Sequence, residues 1–421
     1  MSDQRQAAVL AALPHVRAWQ EPLYRDLHQH PELSYQEHRT AKLVSDKLTE
    51  LGYDVTESVG GTGVVGILRN GDGASVLMRA DMDALPVAEA TGLSYASEVR
   101  GTDAAGNDVP VMHACGHDTH VTCLLGAAAL LAGAKEQWRG TAIALFQPAE
   151  ELGGGAEGMV RDGLVDLIGS AVGKVDVALA QHVGPGPAGF VGTCSGPVLA
   201  AADSIRVTVY GQGGHGSMPQ ATIDPVVLAA MIVIRLQTIV AREIAPDQAA
   251  VVTVGSIHAG TKSNIIGDRA VLELNLRTYD EAVRAGVIAA IKRIVIAECQ
   301  ASNSPKEPEF DFYDRFPVTI NDEAVTARAH DAFVEHFGDR AMTIPPVSAS
   351  EDFGDIPNAL GVPYTYWMFG GIDAAQFTRA AEAGRIAQDI PVNHSPTFGP
   401  VIQPTLDTGT EAMVVAALAW L

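Results

Sequence analysis

Residues 110–122 read PVMHACGHDTHVT, a dense set of nitrogen, sulfur and oxygen donors in a chain with only 13 His and 4 Cys. His113, Cys115 and His117 are spaced two apart, which in an extended segment places all three on one side of the backbone. Gly116 permits a tight turn or the close approach of a ligand. Imidazole and thiolate suit zinc and the later first-row divalent metals. Spacing does not separate His113 from His117, and a lone Cys-x-His is often merely buried or hydrogen-bonded.

Further donors follow apolar runs elsewhere. LFQPAEELGGG places Glu150 and Glu151 side by side after one such run. Adjacent carboxylates there repel unless cations sit nearby. Their side chains point different ways, so one can bind metal while the other serves as a base. VALAQHVGPG puts His182 after another run, VLMRADMDALP ends a third with Asp81 and Asp83, and IPVNHSPTFGP places His394 in a proline-bounded loop. Donors recurring at successive strand ends are the pattern expected of a metal site in an α/β fold.

The elements that must carry these donors are legible in outline. Ser34-Tyr35-Gln36-Glu37 has the form of a capping box, followed by an amphipathic run to Leu51 that Gly52 closes. Strand-like runs at 64–68, 75–79, 142–146 and 177–180 alternate with helical stretches such as 122–133, which argues for an α/β sheet with its chemistry at strand ends. The middle differs: strand 204–210, helix 225–240, strands 250–258 and 270–277, helix 279–301, strand 309–313. That order is β-α-β-β-α-β, the ferredoxin-like unit. The sequence therefore predicts a discontinuous catalytic domain, 1–197 with 315–421, whose mixed sheet is flanked by helices and interrupted by a ferredoxin-like domain over 198–314.

At 421 residues the chain is long for one core, which agrees with two domains. A net charge of −22 disfavours nucleic acid and anionic membranes as partners. The N-terminus lacks the pattern of a signal peptide, and no stretch reaches the roughly 20 apolar residues of a membrane span. Cysteines at 115, 123, 194 and 299 form no framework, so a reducing, cytoplasmic setting is expected.

Taken in order, LHQHPELSYQEHRTA, RADMDALP, MHACGHDTH, FQPAEE, QHVGP, GQGGHGSMP, TKSNIIGDRA, NLRTYD, SASEDFG and NHSPTF resemble the di-metal aminoacylase/carboxypeptidase family, specifically its hippurate hydrolase and N-acyl-amino-acid amidohydrolase branch. The resemblance spans nearly the whole chain. It implies a catalytic α/β domain with an inserted lid that forms the dimer contact, giving a homodimer or homotetramer. It implies two divalent ions (Zn, Mn, Co or Ni) held by Cys115, His117, Glu151, His182 and His394, with the Cys115 thiolate as the bridge. Glu150 matches the general base and Asp83 the acid of a His-x-Asp motif. Asp81 stands at that motif's histidine, as a structural carboxylate rather than a ligand. His113 and His120 are left to orient the loop or to support the ligands from behind. In the lid, His215 matches a histidine that reaches the partner subunit's substrate, while Asn264 and Arg277 match residues that grip the substrate's backbone and carboxylate. The implied reaction is hydrolysis of small N-acyl amino acids. A dipeptidase or aminopeptidase of the same superfamily, a non-catalytic binding protein on this scaffold and a zinc-stabilised structural protein are the rivals.

Overall fold

Strands buried on both faces read as continuous apolar runs rather than alternating ones, and the runs at 64–68, 75–79, 142–146 and 177–180 are of that kind. In the computed structural model, which describes Ser2–Leu421, each lies in a strand of one mixed eight-stranded sheet. The strand order is Asp54–Val59, Gly63–Asn70, Gly140–Gln147, Ser75–Asp81, Val177–Pro187, Tyr364–Ile372, Val191–Thr193 and Ala341–Thr343. The centre is parallel: Ser75–Asp81 pairs in parallel with both Gly140–Gln147 and Val177–Pro187, which pairs in parallel with Tyr364–Ile372. Antiparallel pairings begin on either side of that core.

Val177–Pro187 extends well beyond residue 180. His182 therefore lies within a strand, opposite Met368, and not in a loop after it. His117–Gly133 has no polar face because it is buried on all sides, packed on the sheet and against helices Leu13–Gln29 and Ile402–Leu418.

The capping box predicted at 34–37 does not form. Helix His38–Glu50 receives no cap bond from the side chain of Glu37. Glu32 caps it instead, accepting from the Arg39 and Thr40 amides at 2.8 Å each. Ser34 and Glu37 are drawn to other partners, described below.

The chain divides into two units: residues up to Val198 with Ile320–Pro345 and Asp352–Leu421, and Leu199–Thr319 with Pro346–Glu351. The short return 346–351 belongs to the second unit because its backbone pairs there, Leu199 bridging Val347 and the Ala200 amide donating to the Ala349 carbonyl at 2.9 Å. No sequence pattern marks that segment.

The second unit is an antiparallel sheet ordered Ala250–Ala259, Arg269–Thr278, Ala201–Tyr210, Glu309–Phe316. Ala270, Leu272, Leu274 and Leu276 alternate into a core shared with helices Pro225–Arg242 and Glu281–Ala301. Asp224 and Asp280 cap those helices. Pro225–Arg242, 18 residues long, is apolar enough by length and composition to cross a membrane, which the sequence reading did not credit to any stretch. Here its stripe Leu228, Ile232, Leu236 and Ile239 is buried on the sheet.

Candidate metal centre

The segment that raised the question is a turn followed by a helix, not an extended run. Gly116 takes the left-handed conformation (φ +86°) and caps the helix that begins at His117. A side chain there would strike Val183, since an added Cβ would lie 2.5 Å from Cγ1. The turn separates the histidines that spacing could not. His117 enters a donor cluster; His113 belongs to none among the described residues. His113 is buried with neither ring nitrogen hydrogen-bonded, and burial lowers its pKa to about 4, so the ring is neutral.

Two groups of mutually close donors overlap at one atom. Cys115, His117 and His182 form one group; Cys115, Glu151 and His394 form the other; within each, the donor atoms lie within 4.8 Å of one another. Cys115 Sγ is 3.3 Å from His182 Nε2, and His394 Nε2 is 3.4 Å from Glu151 Oε2. Glu150 adjoins both, its Oε2 3.9 Å from His117 Nε2. The two glutamates sit in a short 3-10 turn, Glu150–Leu152, beyond the strand that ends at Gln147, and Ala149 before them is left-handed (φ +50°).

Hydrogen bonds set the histidine tautomers. His117 Nδ1 donates to the Asp83 carbonyl at 2.9 Å and lies 3.2 Å from its Oδ1. His182 Nδ1 donates to the Val183 carbonyl at 2.7 Å. In both rings Nε2 is the nitrogen that faces the cluster, the orientation that a carbonyl or carboxylate imposes on a metal-binding imidazole. Asp83, grouped with the catalytic residues on sequence, touches His117 and also accepts from Ser34 Oγ (2.7 Å) and the Glu151 amide (3.1 Å).

Asp81 and His120 also lie close to His117, yet their donor atoms are engaged. Asp81 bonds His120 Nδ1 at 2.5 Å and Arg79 Nη1 at 2.6 Å, while His120 Nε2 accepts from the Val183 amide at 2.8 Å. Burial alone would raise the Asp81 carboxyl, but Arg79 and the two histidines hold it well below the usual carboxylate range.

The donors fit divalent ions. His117 Nε2 and Glu151 Oε1 are buried polar atoms without a hydrogen-bond partner, and they lie 3.9 Å apart. Such groups are rare unless an ion or water completes them. Burial, Glu151 and Glu150 hold the Cys115 thiol well above its ordinary range. Burial opposes a proton on His117, but Asp81 and Asp83 outweigh it and raise the ring to about 10. A pocket so rich in carboxylates favours positive charge of any kind, protons or cations.

Three residues placed on sequence lie in the second unit. His215 is exposed on a two-residue strand that pairs with Ile265, next to Asn264, whose carbonyl accepts from the Gly216 amide at 2.9 Å. The Ser217 amide donates to His215 Nδ1 at 3.1 Å, which leaves the proton on Nε2, pointing away as a donor. Arg277 is half-buried; its Nε donates to Asn275 at 3.1 Å, it also bonds Ser350 Oγ, and no carboxylate pairs with it among the described residues.

Four supporting residues escaped the sequence reading: Ser34, Glu37, Arg79 and Asn393. Glu37 is buried and accepts from the Ala149 amide at 2.8 Å and from Thr62 Oγ1 at 2.5 Å, which holds the turn carrying the two glutamates. Its signal was present, but it took the form of a helix cap.

The model of peptidase family M20/M25/M40 matches residues 77–385. The chain belongs to that family. The resemblance drawn from the motifs is borne out, and with it the hydrolase class of the fold. Among family relatives, the hippurate hydrolase of Campylobacter jejuni is 38% identical over 338 residues, covering 79% of this chain and 84% of the relative. The thermostable carboxypeptidase 1 of Saccharolobus solfataricus is 38% identical over 362 residues, covering 84% and 86%. The crystal structure of a dinuclear metal-binding M20 peptidase of Bacillus subtilis superposes with a TM-score of 0.75 at 26% identity, covering 96% of this chain and 98% of the other. This chain brings together groups of donors that could hold metal ions, in keeping with the two-ion site of that structure.

Proposed function

We propose that this chain is an amidohydrolase that cleaves N-acyl amino acids, of the hippurate or N-acetyl type, into a carboxylic acid and a free amino acid. The observation that carries the reading is the pair of donor groups sharing Cys115, with the Glu150 carboxylate against them. Cys115, His117, Glu151, His182 and His394 would hold two ions, with Cys115 common to both donor groups. Zn, Mn, Co and Ni all suit this mixture of sulfur, nitrogen and oxygen. Bound there, the ions supply Lewis acidity to a water and to the scissile carbonyl.

Glu150 accepts the proton of the attacking water and returns it to the leaving amine. Asp83 keeps His117 oriented. His215 donates from Nε2 to the oxygen on which charge develops, Asn264 holds the substrate backbone, and the Arg277 fork binds the free carboxylate. That no acid pairs with Arg277 among the described residues supports that last role.

The assembly is a homodimer or homotetramer through the second unit. Helix Pro225–Arg242 supports this by exposing Val227, Met231 and Ile234 along its outer side. The setting is cytoplasmic, in keeping with four unpaired cysteines.

Glu150→Gln tests the chemistry. It keeps both ions and loses roughly 10²–10⁴ of the turnover of benzoylglycine; near-normal turnover would remove Glu150 from the role of base. Carboxypeptidase action is the rival, favoured by the name of the Saccharolobus relative. A panel of acyl-amino acids and unblocked peptides separates the two by kcat/KM.

A further inference from the structure

Ligand-bearing segments far apart in sequence meet at one side chain that belongs to no donor group. Asn393 donates both hydrogens of its carboxamide to backbone carbonyls, to Cys115 at 3.0 Å and to Val183 at 3.1 Å. The Val183 carbonyl is the same oxygen that accepts from His182 Nδ1 and so orients that imidazole. The next residue is His394, whose amide donates to the Ala114 carbonyl at 2.8 Å and whose backbone is left-handed (φ +69°), a conformation that residues other than glycine adopt only when their surroundings hold them. One amide thus ties together the segments bearing Cys115, His182 and His394.

We propose that Asn393 is a positioning residue of the metal centre, setting its affinity for divalent ions by fixing the relative placement of those three segments. The inference rests on the reading above that Cys115, His182 and His394 are ligands. A carboxamide is the group suited to the task. It presents two donors in a plane to two carbonyls, which a carboxylate cannot do. Outer residues that orient ligands commonly change metal affinity 10–100-fold when removed.

The test uses full-length protein stripped of metal and titrated with Mn²⁺ or Zn²⁺ by calorimetry, comparing wild type with Asn393→Ala and Asn393→Asp. Asn321 supplies the control. It is buried in the same unit and also donates to two carbonyls, those of Cys194 and Tyr366, but neither segment bears a proposed ligand. Expected for Asn393→Ala is an affinity 10–100-fold weaker, with a larger loss for Asn393→Asp, whose oxygens face two carbonyl oxygens. Asn321→Ala should lower the melting temperature and leave ion affinity unchanged.

The Co²⁺-loaded protein provides a second readout. Its thiolate-to-metal charge-transfer band should shift in the Asn393 variants and not in Asn321→Ala. If the alanine variant fails to fold, Asn393→Gln, which keeps both donors one methylene further out, takes its place and should show weakened affinity. Unchanged ion affinity and an unchanged Co²⁺ spectrum in a folded Asn393 variant would overturn the proposal. A wild type that binds no divalent ion would instead overturn the ligand assignment beneath it.

Discussion

At the scale of single residues, a donor is defined by what its other atoms do. His113, His117 and His120 are alike in the sequence, but only His117 is held through Nδ1 with Nε2 left unpartnered in the cluster. Asp83 does the holding. Asp83→Asn would set an amide N–H against either the His117 ring or the Glu151 amide, because both present hydrogen to that carboxylate. Metal affinity should fall about 10–100-fold, read by ion titration of stripped protein; unchanged affinity would mean that the Asp83 carbonyl alone suffices to orient His117. Cys115→Ala should fold and retain less than the full complement of ions by elemental analysis, whereas two tightly held ions would exclude the thiolate as a bridge. Most donors were legible in the sequence because their types and spacing are local. The roles of Ser34 and Glu37 were not. Serine followed three residues later by glutamate is the sequence of a helix cap, and only the arrival of Asp83, Ala149 and Thr62 drew those side chains elsewhere.

At the scale of elements, the helix beginning at His117 is anchored at its first turn by a buried charge cluster. His28, from helix Leu13–Gln29, bonds Asp118 at 2.7 Å through Nδ1 and Glu89 at 3.0 Å through Nε2, and all three side chains are fully buried. Burial opposes the imidazolium, but the two carboxylates outweigh it and raise its pKa from 6.5 to about 10. A group whose pKa is raised on folding stabilises the fold fully below its unfolded value and loses that contribution as pH climbs through the folded value. His28→Ala should therefore cost roughly 3–5 kcal/mol near pH 6.5, as for other broken buried pairs. The gap from wild type should narrow as pH rises towards 10, as measured by denaturant unfolding across that range. A gap independent of pH would show that His28 acts by packing alone. Strands and helices were legible because their apolar periodicity is written locally. This cluster was not, since His28 lies 61 and 90 residues from the two carboxylates it joins.

At the scale of the molecule, the exposed stripe Val227, Met231 and Ile234 is the candidate contact between copies of the chain. Ile234, 65% exposed, is the position at which a charge does least to the fold itself. Ile234→Glu should halve the mass measured by light scattering while circular dichroism stays unchanged; a wild type already at the 44.1 kDa of one chain would dismiss the assembly. If His215 serves a partner's substrate, mixing inactive His215→Ala with inactive Glu150→Gln should restore some turnover. No recovery after proven subunit exchange would confine His215 to its own subunit.

By itself, the sequence determined the α/β class, the ferredoxin-like insertion and the family, because apolar periodicity and ordered motifs are properties of short stretches. It also named the donors that now form the cluster. Only the tertiary structure decided that Asp83 orients His117, that Asp81 is engaged by Arg79 and His120, and that Asn393 links three of the cluster's segments. Those outcomes depend on where lone pairs and N–H groups point once segments tens to hundreds of residues apart have met, and no local pattern encodes that direction.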